Sequence, residues 1–255
     1  ALLNAHGYFK DSISYDTTMR IVRDQQRTTV NFTVKPGKLV QLDSVSYTIN
    51  HPELQALTQQ NMRSTFLKKN GAFARDTIAF ELDRLVDLYR NNGFMRFSRD
   101  ELVGLWDTLD VSLLAPSMDP FEDLGILQKL KERRTNPKAN LEIRLRPGLD
   151  STRLIKYYIG HITVYPDYRG DITSDSVSQL ETDSAMVDGV KVIWYNKVFK
   201  PKIIPQNIYL HSDSLYRITD YQRTLDRFNS LGAWRLVTIE PKVRPGKDTV
   251  DFTIN

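Results

Sequence analysis

The sequence predicts an α+β fold: a tandem run of small β-α-α-β-β units, each a three-stranded sheet with two helices on one face, elaborated by insertions. Three observations carry that expectation. Helix-like runs end at Gly7, Gly93 and Gly232, each followed at once by an aromatic or apolar pair. Strands of strict alternation follow, VNFTV over 30–34, LEIRL over 141–145 and VDFTI over 250–254, and such alternation puts one face on a core and the other in water. The 255 residues also exceed the ~100–200 of a single domain.

In chain order, residues 1–9 read as the end of a helix running into a strand, and Val30, Phe32 and Val34 mark a closing strand. Lys38 to Ile49 is the next strand. A helix is expected over Pro52–Asn61, with proline in the favoured first turn and Leu54 and Leu57 inward. A second runs from Asp76 to Asn91, where Ile78, Leu82, Leu85, Val86 and Tyr89 form a one-sided apolar stripe. Gly93 then closes that helix in a left-handed conformation, and a strand is expected over Phe94–Arg99. Residues 107–139 are an insertion with a helix over Asp119–Arg133, and the closing strand returns at Leu141–Leu145.

The pattern then restarts. Tyr157 to Tyr165 is a strand, a polar stretch fills 171–189, and a second strand-like run covers Val190–Phe199. Tyr221, Leu225 and Phe228 repeat the helical stripe, with Thr219 or Asp220 as its cap. Ala233 to Glu240 reads as the strand after Gly232, and Arg244–Asp248 as the connection to the last strand. The expected domains are therefore 1–38, the C-terminal part of a truncated unit; 39–149, a unit with an inserted helical segment; and 150–255, a unit with an inserted polar loop and an extra strand.

Composition excludes several function classes. No apolar run reaches the ~20 residues of a membrane-spanning helix. The absence of cysteine removes disulfides, thiolate metal sites and cysteine nucleophiles together. A net charge of +4 arises from 35 basic residues interspersed with 31 acidic ones, which is not the one-sided patterning of a nucleic-acid binder. His6, His51, His161 and His211 lie far apart, and His211 with Asp213 reads as a solvated loop. Asp171, Asp175, Glu181, Asp183 and Asp188 lack the fixed spacing of a calcium loop. Lys197–Lys202 (KVFKPK) is a basic run that suits a lipid head group or an acidic partner, and reads first as a solvated loop. No phosphate-cradling glycine motif or nucleophile elbow occurs. The chain is not expected to be an enzyme, and no cofactor or metal is expected.

The helix-Gly-aromatic junctions at Gly7, Gly93 and Gly232, with VNFTVKPG and LEIRLRPG each followed by a strand of the form LDSVSYTI or YYIGHITVY, resemble the polypeptide-transport-associated (POTRA) domain. The resemblance covers nearly the whole chain and points to the Omp85 superfamily, to assembly factors of the BamA or TamA kind. It implies the periplasmic region of an outer-membrane β-barrel insertase, attached to a barrel outside this fragment and starting inside a longer protein. Its partners would be unfolded outer-membrane proteins and accessory assembly lipoproteins, met by strand addition at a sheet edge. The edge strands implied are Phe94, Met95, Arg96, Phe97, Ser98 and Arg99, and Trp234, Arg235, Leu236, Val237, Thr238 and Ile239. A two-partner secretion transporter and a docking scaffold without a barrel are the alternatives.

Overall fold

The computed structural model describes residues 2–23, 25–108, 131–133, 135–167, 182–196, 200–234 and 236–255. Two compact bodies emerge, residues 1–85 with 99–147, and residues 86–98 with 148–255.

The first body opens with a short helix α1 (Leu2–Ala5) and a hairpin of β1 (Ser12–Val22) and β2 (Gln25–Lys35). Then come β3 (Gln41–Thr48), α2 (Pro52–Gln60), α3 (Arg75–Arg90), β4 (Leu102–Asp107) and β5 (Lys138–Leu145). The sheet order is β3-β5-β4, with β3 parallel and β4 antiparallel to β5. This is the β-α-α-β-β order. Pro52 stands at the first position of α2, where its missing N–H costs nothing, and the His51 imidazole accepts from the Leu54 N–H at 3.5 Å. Ala139, Leu141, Ile143 and Leu145 alternate into the core from β5, and Leu82 and Leu85 are buried on α3.

The second body contains β6 (Tyr158–Val164), a hairpin of β7 (Asp183–Val187) and β8 (Val190–Trp194), α4 (Ile218–Ser230), β9 (Ile239–Val243) and β10 (Thr249–Ile254). Its sheet order is β7-β8-β6-β10-β9. The extra strand-like run in the sequence is thus β8, which lies parallel to β6 and extends the sheet. Two 3₁₀ turns, Pro201–Ile203 and Pro205–Asn207, stand between β8 and α4, where the β-α-α-β-β order calls for a first helix. The spaced prolines 201 and 205 deny a continuous ladder of helical hydrogen bonds. The start of α4 is satisfied not by its own Thr219 or Asp220 but by Asn91, whose Oδ1 accepts from the Thr219 N–H and hydroxyl at 3.0 and 2.7 Å.

Both sheets carry a bulge at the corresponding place. The β3–β5 register shifts between Leu42 and Ser44, and the β6–β10 register between Val250 and Phe252. In the second sheet Asp251 accepts both Arg244 donors, at 2.9 and 2.7 Å, and the His161 N–H at 2.6 Å. The Arg244 hydrogen bonds, with that N–H, hold its carboxyl below the ordinary range.

Two expected strands are corrected. Residues 94–99 form no strand: Phe94 N–H returns to the Tyr89 carbonyl at 3.2 Å, Phe97 N–H to Phe94 at 3.0 Å, and a 3₁₀ turn covers Arg99–Glu101. Phe94 and Phe97 are both buried, and an i, i+3 pair cannot share one side of a strand of period two. The strand after Gly93 is β4, beginning at Leu102. Likewise Ala233–Thr238 precede β9 rather than form it, and of that expected strand only Ile239 and Glu240 are extended in the sheet. The helix expected over 119–133 falls almost wholly outside the described residues.

Candidate functional site

Among the described residues three sheets have six edges, and an edge strand presents every second residue's N–H and C=O to the outside. The register decides which residues those are, and five of the six outward rows can be compared with a local device or a partner.

On β1, Val22 pairs with Gln25 across a two-residue connection, so even-numbered residues face β2 and odd-numbered ones face out. The outward Thr17 N–H is taken by the Asp16 carboxylate at 2.8 Å. On β7, the Asp188-Gly189 turn (φ +50° and +80°) fixes the same parity, so Ser184 and Met186 face out. The Ser184 N–H goes to Asp183 Oδ1 at 2.9 Å. On β3, the Gln55 side chain from α2 donates to the Tyr47 carbonyl at 3.1 Å and accepts from the Ile49 N–H at 2.9 Å.

β9 is closed twice. Thr238 and Asn255 exchange both main-chain hydrogen bonds, at 3.0 and 2.9 Å, so Ile239, Pro241 and Val243 face out. Pro241 has no N–H to offer, and the Ile239 carbonyl already accepts from the Tyr221 hydroxyl at 3.0 Å.

β4 differs. Arg146 N–H donates to the Glu101 carbonyl at 2.8 Å, which turns Val103, Leu105 and Asp107 toward β5 and the main-chain groups of Leu102, Gly104 and Trp106 outward. No described residue covers those outward groups of Gly104 and Trp106. The outward row of β2 is open in the same sense, but its counterparts on β5 and β10 are taken by the parallel strands β3 and β6.

Of the expected site residues, Ile239 opens the β9 edge and Thr238 pairs with Asn255 at its end, whereas the other described ones lie outside the edge strands. Phe94 and Phe97 are core, Phe97 meeting Tyr89 edge-on at 4.9 Å, and Met95 packs against the second core. The Arg96 guanidinium lies 5.6 Å over the Tyr157 ring, Ser98 stands in the connection, and Arg99 pairs with Asp83 at 3.3 Å. Trp234 donates to the Pro166 carbonyl at 2.7 Å and meets Phe228 at 5.2 Å; Leu236 is exposed, Val237 buried, and Arg235 lies outside the described residues. The junction glycines Gly7, Gly93 and Gly232 have φ of +93°, +97° and +62°. What the sequence pattern missed is LVGLWD over 102–107, where the signal was the placement of Gly104 and Trp106 two apart beside a closing strand.

Among the described residues, no three His, Asp or Glu side chains group to hold a metal ion, and no helix is long and apolar enough to cross a membrane.

No protein-family model matches the chain, and no curated protein does. Solved structures similar to it include POTRA segments of BamA and Omp85. Haemophilus influenzae BamA POTRA3-5 is 14% identical with a TM-score of 0.47, covering 99% of this chain and 74% of that one. POTRA1-3 of Omp85 from Anabaena is 12% identical with a TM-score of 0.32, over 98% and 75%. BamA from Haemophilus ducreyi lacking POTRA domains 1-3 is 10% identical with a TM-score of 0.44, and this chain, matched over 84% of its residues, spans 28% of that one.

Proposed function

We propose that the chain is the periplasmic POTRA region of an outer-membrane β-barrel insertase, and that it binds unfolded outer-membrane proteins and accessory lipoproteins by adding their extended segments to a sheet edge. One observation carries this: β4 is an edge of a β-α-α-β-β unit that no described residue covers, with the N–H and C=O of Gly104 and Trp106 aimed outward. Main-chain pairing ignores side-chain identity, which suits many clients, and each hydrogen bond adds only about 0.5–1.5 kcal/mol, so clients are released again. The acceptor proposed is thus β4 rather than Phe94–Arg99 or Trp234–Ile239.

Residues 1–38, 39–149 and 150–255 are proposed as three successive units, the first represented by its C-terminal part. The apolar face of its hairpin supports this. Val30, Phe32 and Val34 are 44%, 69% and 50% exposed, whereas Leu141, Ile143 and Leu145, at the same places of the matching closing strand, are 2%, 0% and 8% exposed.

A photo-crosslinking residue at Leu105, in the full-length protein in its native envelope, is expected to capture nascent outer-membrane proteins. The same residue at Lys242 on β9 is expected to capture none. Equal capture at both would sink edge selection. Fractionation of that envelope separates the insertase from a scaffold: a heat-modifiable outer-membrane band indicates an attached barrel, and an inner-membrane or soluble protein without the shift indicates a docking scaffold.

A further inference from the structure

In the first body α2 follows β3 and buries Leu54 and Thr58. At the same place in the order of the second body, prolines 201 and 205 leave only two 3₁₀ turns. Where the second of these turns passes the sheet, a cavity of about 350 Å³ remains between the Asp188-Gly189 turn and the segment 205–212, beside Ile162 of β6. Its apolar lining is Ile162, Val190, Ile208 and Leu210, all buried. The exposed Asp188, Gln206 and His211 stand at its mouth. Of the lining residues only Asp188 carries a formal charge, and no lysine or arginine balances it there.

Main-chain pairing sets both walls. On one side the parallel register of β6 and β8 puts Val190 beside Ile162. On the other, the Asp213 N–H donates to the Ile159 carbonyl and the Ile159 N–H to the Ser214 carbonyl, each at 2.8 Å, and the Tyr209 N–H donates to the Thr224 hydroxyl at 3.0 Å. A cleft held in this way is formed before a ligand arrives, so little ordering cost opposes binding. A Cβ at Gly189 would meet nothing within 4 Å, which leaves open space next to the Asp188 carboxylate.

We infer that this cavity binds a primary ammonium group carried on an aliphatic tail of about four to eight carbons, a size that suits a small apolar cleft with few polar groups. The tail enters among the aliphatic side chains and leaves water behind. The ammonium stays at the mouth, where Asp188 accepts a charge-assisted hydrogen bond and the Gln206 side-chain carbonyl or the His211 imidazole offers a second acceptor. A carboxylate head group would meet Asp188 as a like charge, and a hydroxyl would gain no charge attraction. The same chemistry occurs in a free alkylamine and at a polypeptide N-terminus whose first residue is aliphatic. None of these residues lies on β4, so the site stands independently of the edge-pairing role proposed above.

The test follows the methyl resonances of Ile162, Val190, Ile208 and Leu210 by NMR while the chain is titrated with hexylammonium, 1-hexanol and hexanoate. Hexylammonium is expected to shift them saturably, with half-saturation at about fivefold lower concentration than 1-hexanol, the upper range of an exposed ion pair. Hexanoate is expected to bind weakest. Asp188→Asn keeps a residue that tolerates the left-handed turn and is expected to bring hexylammonium and 1-hexanol within twofold, with 1-hexanol itself unchanged. Two further probes identify the source. Shifts of the same methyls by the tripeptide Leu-Gly-Gly but not by its N-acetyl form support the site as a receptor for polypeptide N-termini, and shifts by hexylammonium alone support a free amine. The wild-type series needs no variant: if no probe shifts those methyls saturably, or if hexylammonium and 1-hexanol bind equally, the inference is overturned. A fivefold amine preference that survives in Asp188→Asn overturns it as well, because the carboxylate is then not the selecting group.

Discussion

Glu81 is fully buried on α3, and every lone-pair direction it offers is used. It accepts from Arg84 at 2.6 and 3.0 Å, from the Tyr47 hydroxyl at 2.7 Å and from the Phe66 N–H at 2.9 Å. Burial pushes its carboxyl up, but the hydrogen bonds from Arg84, Tyr47 and Phe66 outweigh that and hold it below the ordinary range. The same burial raises the Tyr47 hydroxyl, which keeps it a donor throughout. A carboxyl depressed in the folded state contributes stability that is complete above its unfolded value and lost as pH falls through the folded one. Glu81→Gln, which strands the Arg84 charge, is expected to cost on the order of 3 kcal/mol in urea unfolding at pH 7. Its stability is expected to fall less steeply on the acid side than that of wild type. Gly93→Ala is a second residue-scale test. At φ +97° its Cβ would lie 2.6 Å from Leu215 Cδ1, whereas at Gly232 (φ +62°) nothing stands within 4 Å. Gly93→Ala should therefore lower the melting temperature more than Gly232→Ala, which costs only the ~1–2 kcal/mol of the left-handed backbone.

At the scale of elements, identical strand patterns have opposite energetic roles. Phe32 on β2 and Ile143 on β5 hold equivalent positions, but only Ile143 is in a core. Ile143→Ala is expected to destabilise by about 2–5 kcal/mol and Phe32→Ala, in this 255-residue chain, by no more than ~0.5 kcal/mol. Chemical denaturation of the pair checks the contrast. The edges make a further prediction. Pro241→Thr with Tyr221→Phe returns a donor and frees a carbonyl on β9, so crosslinking from Lys242 should rise toward that from Leu105. No gain would mean that local capping does not set edge receptivity.

For the molecule as a whole, unpaired main chain and exposed apolar surface fall together on the β1–β2 hairpin, where Ile13 pairs with Val34 and Tyr15 with Phe32 on one bare face. Such a face on an edge-bearing ribbon is a template for association. The isolated chain is expected to self-associate with rising concentration in sedimentation velocity, and Tyr15→Thr with Phe32→Thr to restore the monomer. If the double variant associates as strongly as wild type, the hairpin face is not what drives association.

Local sequence suffices for the α+β class, the repeat of helix, left-handed glycine and closing strand, and the positions of β3, β5, β6 and β10. Those rest on local physics: period-two alternation, the i, i+3, i+4 stripe of α3 and a proline in the first turn of α2. It placed the strand after each glycine too early, because FMRF over 94–97 is apolar enough for a strand while its i, i+3 phenylalanines belong to a turn. Only the tertiary structure decided where β4 and β9 begin and that β8 closes the edge of β6. It alone also revealed that Asp16, Gln55, Asp183 and Tyr221 occupy outward groups and Pro241 removes one, while no described residue occupies those of Gly104 and Trp106. Whether an edge group is available depends on strand register and on side chains arriving from elsewhere in the chain, and neither is a property of the strand's own sequence.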